Sequence, residues 1–198
     1  MPVTLEVWSD YACPLCYLAL PELLRMQRLR GVVVMWHAFE LRPDPVPLPD
    51  PDGDAVRREW ARAVYPMAEA RNHPLQRPAI LPRSRFAAEA TEFARDAGRF
   101  GGMHRGLFEA YFRHGRDIGL AAVLVDVGVG LGLDGAGLRR ALEGGRYTGR
   151  VLQAERRAAG LGISGVPAMV LAGPRGQQLV AGAQPYEAMR RMVEVVRG

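Results

Sequence analysis

Two cysteines separated by two residues are the side chains of this sequence best suited to chemistry. Cys13 and Cys16 are its only cysteines, and Pro14 fits the first turn of a helix, where its missing N–H removes no hydrogen bond. There, helix N–H groups and the positive end of the helix dipole stabilise a thiolate at Cys13, which becomes the nucleophile. Cys16, one turn later, is shielded and close enough to attack a mixed disulfide formed at Cys13. The spacing therefore predicts thiol-disulfide exchange.

Three other interpretations of the cysteine pair stay open. A zinc half-site needs two more ligands, and the four histidines show no paired spacing (His37, His73, His104 and His114). A structural disulfide across so short a loop would constrain little of the unfolded chain. Two ordinary buried thiols also fit the pattern. The exchange interpretation is favoured because a strand is predicted before the pair and a helix after it.

Composition and charge exclude several classes of protein. The 198 residues are 48% hydrophobic, enough for one domain or a domain with an insertion, and all 26 basic side chains are arginine. Schiff-base lysines and the lysine of phosphate-binding loops are therefore excluded. The net charge is +5, but arginines alternate with acidic residues over stretches such as 83–99. That pattern is typical of a solvated surface, and no nucleic-acid partner is predicted.

The sequence carries no predicted membrane segment and no signal peptide. Its longest apolar run, residues 118–133, is shorter than a membrane helix needs and contains Asp126. The first residues lack the basic and apolar segments of a secretory signal. We therefore expect a cytoplasmic protein with no membrane partner, and the sequence does not determine its oligomeric state.

The N-terminal elements that position the cysteines follow a strand, helix, strand order. Alternation predicts a strand over Val3–Trp8, and leucine spacing predicts a helix from Pro14 to about Arg30 that Gly31 closes. A second strand is predicted over Val32–Phe39. The order implies a crossover between parallel strands.

A proline-rich stretch separates this unit from a helical region. Every second residue is proline between positions 43 and 51, which excludes helix and sheet there. From Asp54 to about Leu142 the periodicity predicts four or five short helices without a strand, punctuated by glycines (Gly101-Gly102, Gly115 and Gly144-Gly145).

The C-terminal part predicts a helix, a loop, a hairpin and a closing helix. The helix lies near 147–159, two strands at 168–171 and 178–181 flank a turn at 173–176, and Pro185 starts the last helix. In the loop 162–167, a proline directly before a strand is typical of a fixed turn. We predict that the Val166-Pro167 peptide bond is cis and faces Cys13.

At these positions the sequence resembles the DsbA-like thioredoxin-fold oxidoreductases, most closely their FrnE-like branch. That branch borders the 2-hydroxychromene-2-carboxylate isomerases and kappa-class glutathione transferases. The resemblance covers almost the whole chain, and its motifs are Ser9-Asp10, Cys13-Pro14-Leu15-Cys16-Tyr17, the run from Trp36 to Pro43, Leu107–Phe112, Asp117-Ile118, Gly162–Pro167 and Gly182-Ala183-Gln184.

The resemblance implies an α/β thioredoxin-like fold with an inserted all-helical domain. Residues 1–45 and 145–198 would form the thioredoxin-like domain, and residues 46–144 the insertion. It also implies that Cys13 attacks, that Cys16 resolves, and that Val166 and Pro167 present backbone to an extended substrate. Pro14 and Leu15 would flank the substrate as well.

Two departures from the family pattern make the predicted groove less aromatic. Leu15 stands where the branch usually has Trp, and Ala168-Met169 stand where an aromatic residue often follows the cis proline. The Pro14-Leu15 dipeptide also lacks an imidazole to favour the thiolate. We therefore expect less oxidising power than in relatives with His between the cysteines.

The combined prediction is a cytoplasmic protein disulfide oxidoreductase or isomerase acting on protein or peptide thiols and disulfides. No metal and no organic cofactor is predicted, and glutathione is a candidate redox partner. A glutathione-dependent isomerase or transferase of small aromatic or polyketide-like substrates is the first alternative, although such relatives typically carry serine where Cys13 stands. A non-enzymatic module that holds peptides or a metal ion is the second.

Overall fold

The chain folds around a four-stranded mixed sheet. The computed structural model describes residues 2–29 and 31–198, with strands β1 (Val3–Ser9), β2 (Val32–Ala38), β3 (Ala168–Gly173) and β4 (Gly176–Ala181). Their order is β2-β1-β3-β4, with β1 and β2 parallel and the other pairs antiparallel. The predicted strand, helix, strand unit and the hairpin turn between Gly173 and Gly176 are confirmed.

The first helix, α1 (Pro14–Gln27), begins directly after Cys13 and carries Pro14 in its first turn, as predicted. It ends earlier than predicted, because the chain tightens after Gln27: the Arg28 N–H bonds to the Arg25 carbonyl and the Leu29 N–H to the Met26 carbonyl, each three residues back. The predicted end at Arg30 lies outside the described residues. Gly31 does not close the helix: it has φ +77° and its carbonyl accepts the Val3 N–H at 2.8 Å, so it leads the chain into β2.

The region predicted to be helical contains more helices than the four or five expected. The helices after β2 are α2 (Asp54–Glu59), α3 (Tyr65–Ala70), α4 (Arg85–Asp96), α5 (Phe100–Phe112), α6 (Ala121–Gly130), α7 (Gly135–Glu143), α8 (Thr148–Gly160) and α9 (Tyr186–Arg197). Residues 39–167 contain no strand among those described.

Proline accounts for part of the larger helix number. Helices α2 and α3 are joined by a π-helical turn, Trp60–Val64, in which the Tyr65 N–H bonds to the Trp60 carbonyl five residues back. Pro66 follows at once and has no N–H to offer the preceding turn. The wider turn accommodates this missing donor. The helical stretch is therefore divided into α2, the π-helical turn and α3.

The glycine pair Gly101-Gly102 is not a break, contrary to the sequence prediction. Both residues lie in the first turn of α5. A Cβ on Gly102 would come within 3.0 Å of a Leu131 methyl group, so the absence of a side chain lets the end of α6 approach α5. Glycine is used here for close packing and not for a turn.

The two faces of the sheet are covered by different helices. Leu5, Val7 and Met169 pack into the large core that includes α1, α5 and α9. Trp8 and Val170, on the opposite face by strand alternation, pack with Ala158 of α8 and with its following loop. The cysteine pair therefore follows the buried strand β1, which has helices on both sides.

In the described part of the chain, no helix is both long enough and apolar enough to cross a membrane.

Candidate active site

The cysteine pair lies at the start of α1, shortly after the end of β1. Cys13 is the N-cap residue of α1, its N–H bonds to the Asp10 carbonyl at 3.1 Å, and its own carbonyl accepts the N–H groups of Cys16 and Tyr17. Both cysteines are free thiols, 4% and 2% exposed for Cys13 and Cys16 respectively. The predicted position of Cys13 at a helix start is confirmed.

The two thiols differ in their surroundings. Burial raises the pKa of the Cys16 thiol well above its usual value, and the neighbouring Cys13 thiol raises it further. The Cys13 Sγ instead donates a hydrogen bond to the carbonyl of Val166 at 3.5 Å. Cys16 is therefore held as a protonated thiol.

The loop that brings the chain to Cys13 is held by one buried carboxylate. Asp10 accepts hydrogen bonds from the N–H of Ala12 at 2.8 Å and from the N–H of Leu41 at 2.7 Å. Burial raises the pKa of Asp10, against these hydrogen bonds and one from Ser84. One side chain thus ties the cysteine loop to the segment after β2.

The loop before β3 lies beside Cys13, at the end of the sheet where β1 ends and β3 begins. The Val166-Pro167 peptide bond is cis, as predicted, and the Val166 carbonyl faces the Cys13 thiol. The Pro167 carbonyl accepts the N–H of Gly182 at 2.8 Å, which ties the loop to the segment after β4. The Val166 N–H has no hydrogen-bond partner among the described residues.

A cavity of about 380 Å³ opens at Cys13. Its wall includes the predicted site residues Pro14, Leu15 and Val166, and in the described chain Cys13 lines it whereas Cys16 does not. The remaining wall comes mostly from beyond β2: Ala12, Leu41, Arg42, Pro49, Ala55, Val56, Glu59, Trp60, Val64, Leu81, Tyr111 and Phe112. The space is therefore formed jointly by the cysteine loop and the helical region.

Sequence reasoning missed most of this wall. Trp60 is the clearest omission, and a signal was present: it is a large aromatic residue with the charged residues Arg58, Glu59 and Arg62 around it. A large apolar side chain on such a stretch indicates a buried contact. Trp60 is buried and its ring lies 6.4 Å from that of Phe112, so both rings form one wall.

The aromatic residues near the cysteines in sequence do not line the cavity. Trp8, Tyr11 and Tyr17 lie close to the cysteines in the sequence, and all three are buried in the core. The Trp8 Nε1 donates to the Ala154 carbonyl at 3.1 Å, and the Tyr17 ring stacks on Phe112 at 5.3 Å. Their polar atoms and faces are used to fix the sheet against its helices.

Tyr11 connects the cysteine loop to helices α4 and α5. Its hydroxyl forms hydrogen bonds with His104 Nδ1 at 2.7 Å and with Thr91 Oγ1 at 2.8 Å. The other ring nitrogen of His104, Nε2, is buried and has no partner among the described residues. Burial, with a smaller effect of Arg95, lowers the pKa of His104 to about 3.

This buried histidine predicts an acid-dependent loss of stability. Below its ordinary pKa of 6.5, the unfolded chain takes up a proton on His104 that the folded chain excludes. The free energy of unfolding should therefore fall as the pH falls from 6.5 towards about 3, by up to about 1.4 kcal/mol per pH unit from this one group. Urea denaturation at intervals of pH measures the slope, and His104→Gln should lack this contribution. Equal slopes in both proteins would contradict the assignment.

Metal ligands are not assembled in the described chain. Within residues 2–29 and 31–198, no three His, Cys, Asp or Glu side chains come together as ligands for an ion.

Comparison with known proteins places this geometry in a family. A family model described as DSBA-like thioredoxin domain matches residues 4–194. A probable DsbA oxidoreductase from Streptomyces coelicolor is 27% identical, with a TM-score of 0.77 over 96% of this chain and 88% of that one. The cytosolic disulfide reductase DsbM from Pseudomonas aeruginosa, solved with GSH, is 23% identical, with a TM-score of 0.73 over 96% and 97%.

A third solved structure belongs to an enzyme of different activity. The 2-hydroxychromene-2-carboxylate isomerase is 19% identical and has a TM-score of 0.80, covering 96% of this chain and 94% of that one. At these identities the DsbM and isomerase structures show a shared fold. The thioredoxin-like fold predicted from the motifs is confirmed, and because the family model spans almost the whole chain, the protein belongs to the DsbA-like thioredoxin domain family.

Proposed function

We propose that the protein is a thiol-disulfide oxidoreductase that cycles Cys13 and Cys16 between dithiol and disulfide. The observation that carries the proposal is the asymmetry of the pair: Cys13 lines the cavity beside the cis-proline loop, and Cys16 does not. Membership of the DsbA-like family supports oxidoreductase chemistry in general. The cycle needs neither a metal nor an organic cofactor.

The proposed exchange runs in two displacement steps. The Cys13 thiolate attacks one sulfur of a substrate disulfide, forms a mixed disulfide and releases the other sulfur as a thiolate. The Cys16 thiol then loses its proton and attacks the Cys13 sulfur, which releases the second substrate thiolate. The protein loses two electrons as its disulfide forms, and the substrate disulfide gains them as two thiols. In the reverse direction a substrate thiol reduces the protein disulfide.

Backbone and small side chains at the cavity provide the proposed substrate contacts. The unpartnered N–H of Val166 is available to donate a hydrogen bond to the backbone of an extended substrate. The cis bond to Pro167 fixes the conformation of the Val166 backbone. Pro14 and Leu15 also line the cavity and contribute apolar surface. This arrangement contacts the backbone of a substrate more than its side chains, which suits thiols and disulfides of peptides or proteins.

Glutathione in the cytoplasm is the proposed redox partner. The related structure with GSH is that of a cytosolic disulfide reductase, and its shared fold supports this assignment. The isomerase shares the fold as well. Exchange is the preferred function because both thiols are present and adjacent here, whereas only one reacting group would serve a glutathione-dependent isomerisation.

A redox titration tests the proposal. The protein is equilibrated with graded ratios of reduced and oxidised glutathione, and the state of both cysteines is read by alkylation and mass spectrometry. A reversible two-electron transition is expected. A midpoint potential of about −270 mV would identify a reductase, and a midpoint above about −200 mV would identify an oxidase or isomerase. Absence of an intramolecular disulfide at every ratio would overturn the proposal and favour the isomerase or peptide-holding alternatives.

A further inference from the structure

The cavity at Cys13 carries one uncompensated charge. Its wall is mostly apolar, and the ionic side chains among its described lining residues are Arg42 and Glu59. Glu59 is paired with Arg62 at 3.0 Å. Arg42 is exposed and forms no ion pair within the described residues. The ligand therefore meets a net positive charge at the rim of an otherwise apolar space.

The two arginines near Arg42, unlike Arg42 itself, form ion pairs within the fold. Arg83 donates to the Arg42 carbonyl at 2.7 Å and lies 3.5 Å from Asp44, and Arg85 pairs with Glu40 at 2.7 Å. Those two guanidinium groups are thus occupied within the fold. The buried Asp10 senses the charge of Arg42, but no hydrogen bond or ion pair joins the two side chains.

We propose that Arg42 is a specificity-determining residue that selects small thiols and disulfides carrying a carboxylate, the chemistry of glutathione. The inference rests on the proposed function and names the class of partner for the same site. Arg42 lies on the segment that Asp10 fixes through the Leu41 N–H, so its backbone has a set position beside the cysteine loop. An arginine there pairs with a carboxylate through its planar donors.

The test compares disulfides of different charge on the reduced protein. Second-order rate constants for oxidation are measured with glutathione disulfide (anionic), bis(2-hydroxyethyl) disulfide (neutral) and cystamine (cationic). For Arg42→Gln we expect a rate about 3- to 5-fold lower with glutathione disulfide, an unchanged rate with the neutral compound and a higher rate with cystamine. Added salt should slow the wild-type reaction with glutathione disulfide more than that of the variant.

A matched variant and a neutral substrate keep the outcomes apart. Arg105→Gln removes an exposed arginine that does not line this cavity and should leave all three rates unchanged. An equal fall with the neutral disulfide in Arg42→Gln would overturn the proposal, since Arg42 would then act on the cysteines themselves. Unchanged rates with all three would overturn it too. Failure of the wild-type protein to react with any disulfide would instead contradict the proposed function.

The carboxylate could come from a free thiol peptide or from an acidic residue of a protein substrate. Two peptide disulfides with blocked termini, one with Glu and one with Gln beside the cysteine, distinguish these sources. We expect the Arg42→Gln effect with glutathione disulfide and not with the Glu peptide, which assigns the site to free thiols. The same effect with the Glu peptide would assign it to acidic segments and overturn the small-thiol assignment.

Discussion

Replacing Cys13 by serine should abolish disulfide exchange, with a fall in rate of at least about a thousandfold, because a hydroxyl does not replace a thiolate as the attacking group. Cys16→Ser should have a different effect. In this variant Cys13 can still attack a disulfide, so the protein should accumulate a mixed disulfide between Cys13 and glutathione that no neighbouring thiol resolves. The measurement is intact mass after mixing each reduced variant with glutathione disulfide.

The expected asymmetry follows from the environments of the two sulfurs. Cys13 lines the cavity, whereas burial and the adjacent thiol keep Cys16 protonated through its raised pKa. Formation of the mixed disulfide removes the thiol hydrogen from Cys13 and turns its sulfur into the electrophile. Cys16 then has a target within the same helical turn, which explains why a poor nucleophile suffices for the second step.

Controls make this result specific to the chemistry. Both serine variants should keep the circular dichroism spectrum and the melting temperature of the wild-type protein within a few degrees, since serine is similar in size to cysteine. A stable glutathione adduct on Cys13→Ser and none on Cys16→Ser would show that the roles are reversed. Retained turnover of a small glutathione-dependent isomerisation substrate by Cys13→Ser would support the isomerase alternative.

The sequence predicted those parts of the site that depend on local patterns. Cys13 and Cys16, the proline in the first helical turn and the cis bond at Val166-Pro167 all follow from residue type and short spacing. Strand alternation likewise located β1 and β2 to within one residue at either end. Backbone constraints of this kind act over a few residues and are therefore legible in the sequence.

The cavity wall could not be predicted in the same way, because it depends on where distant segments meet. Trp60 and Phe112 lie 52 positions apart and come together only through the packing of α5 against the stretch that contains the π-helical turn. Arg42 was recognised as part of a family motif, but its lack of an ion pair depends on the positions of Asp44, Glu40 and Glu59 in space. Charge balance in a cavity is a property of the fold.

The sequence alone did not decide whether the aromatic residues beside the cysteines line a substrate groove or lie in the core. Tyr11 and Tyr17 flank the cysteines, so nearness in sequence fitted a substrate groove as well as the core. Both rings lie inward, against Phe108 of α5. The helical region therefore buries the aromatic residues of the cysteine unit and supplies its own, Trp60 and Phe112, to the cavity.

Phe108→Ala is expected to lower the free energy of unfolding by about 3–5 kcal/mol, the usual cost of removing a fully buried aromatic ring. Phe108 is 0% exposed, and its ring lies 4.9 Å from that of Tyr11, 5.8 Å from Tyr17 and 5.2 Å from His104. The substitution therefore leaves a cavity between α5 and the cysteine unit that these rings cannot fill. Urea denaturation followed by circular dichroism measures the change, with an accompanying fall in melting temperature of about 6–20 °C.

A matched control uses the same substitution at an exposed position of the neighbouring helix. Phe86, on α4, is 40% exposed, and Phe86→Ala should change stability by less than about 1 kcal/mol. Because Phe108 joins the helical region to Tyr11 and Tyr17, the whole chain should still unfold in one transition, shifted as a unit. Two separate transitions, with only one moved by Phe108→Ala, would mean that the helical region folds independently and that the cavity at Cys13 depends on docking of two bodies. Equal effects of the two substitutions would contradict the bridging role of Phe108.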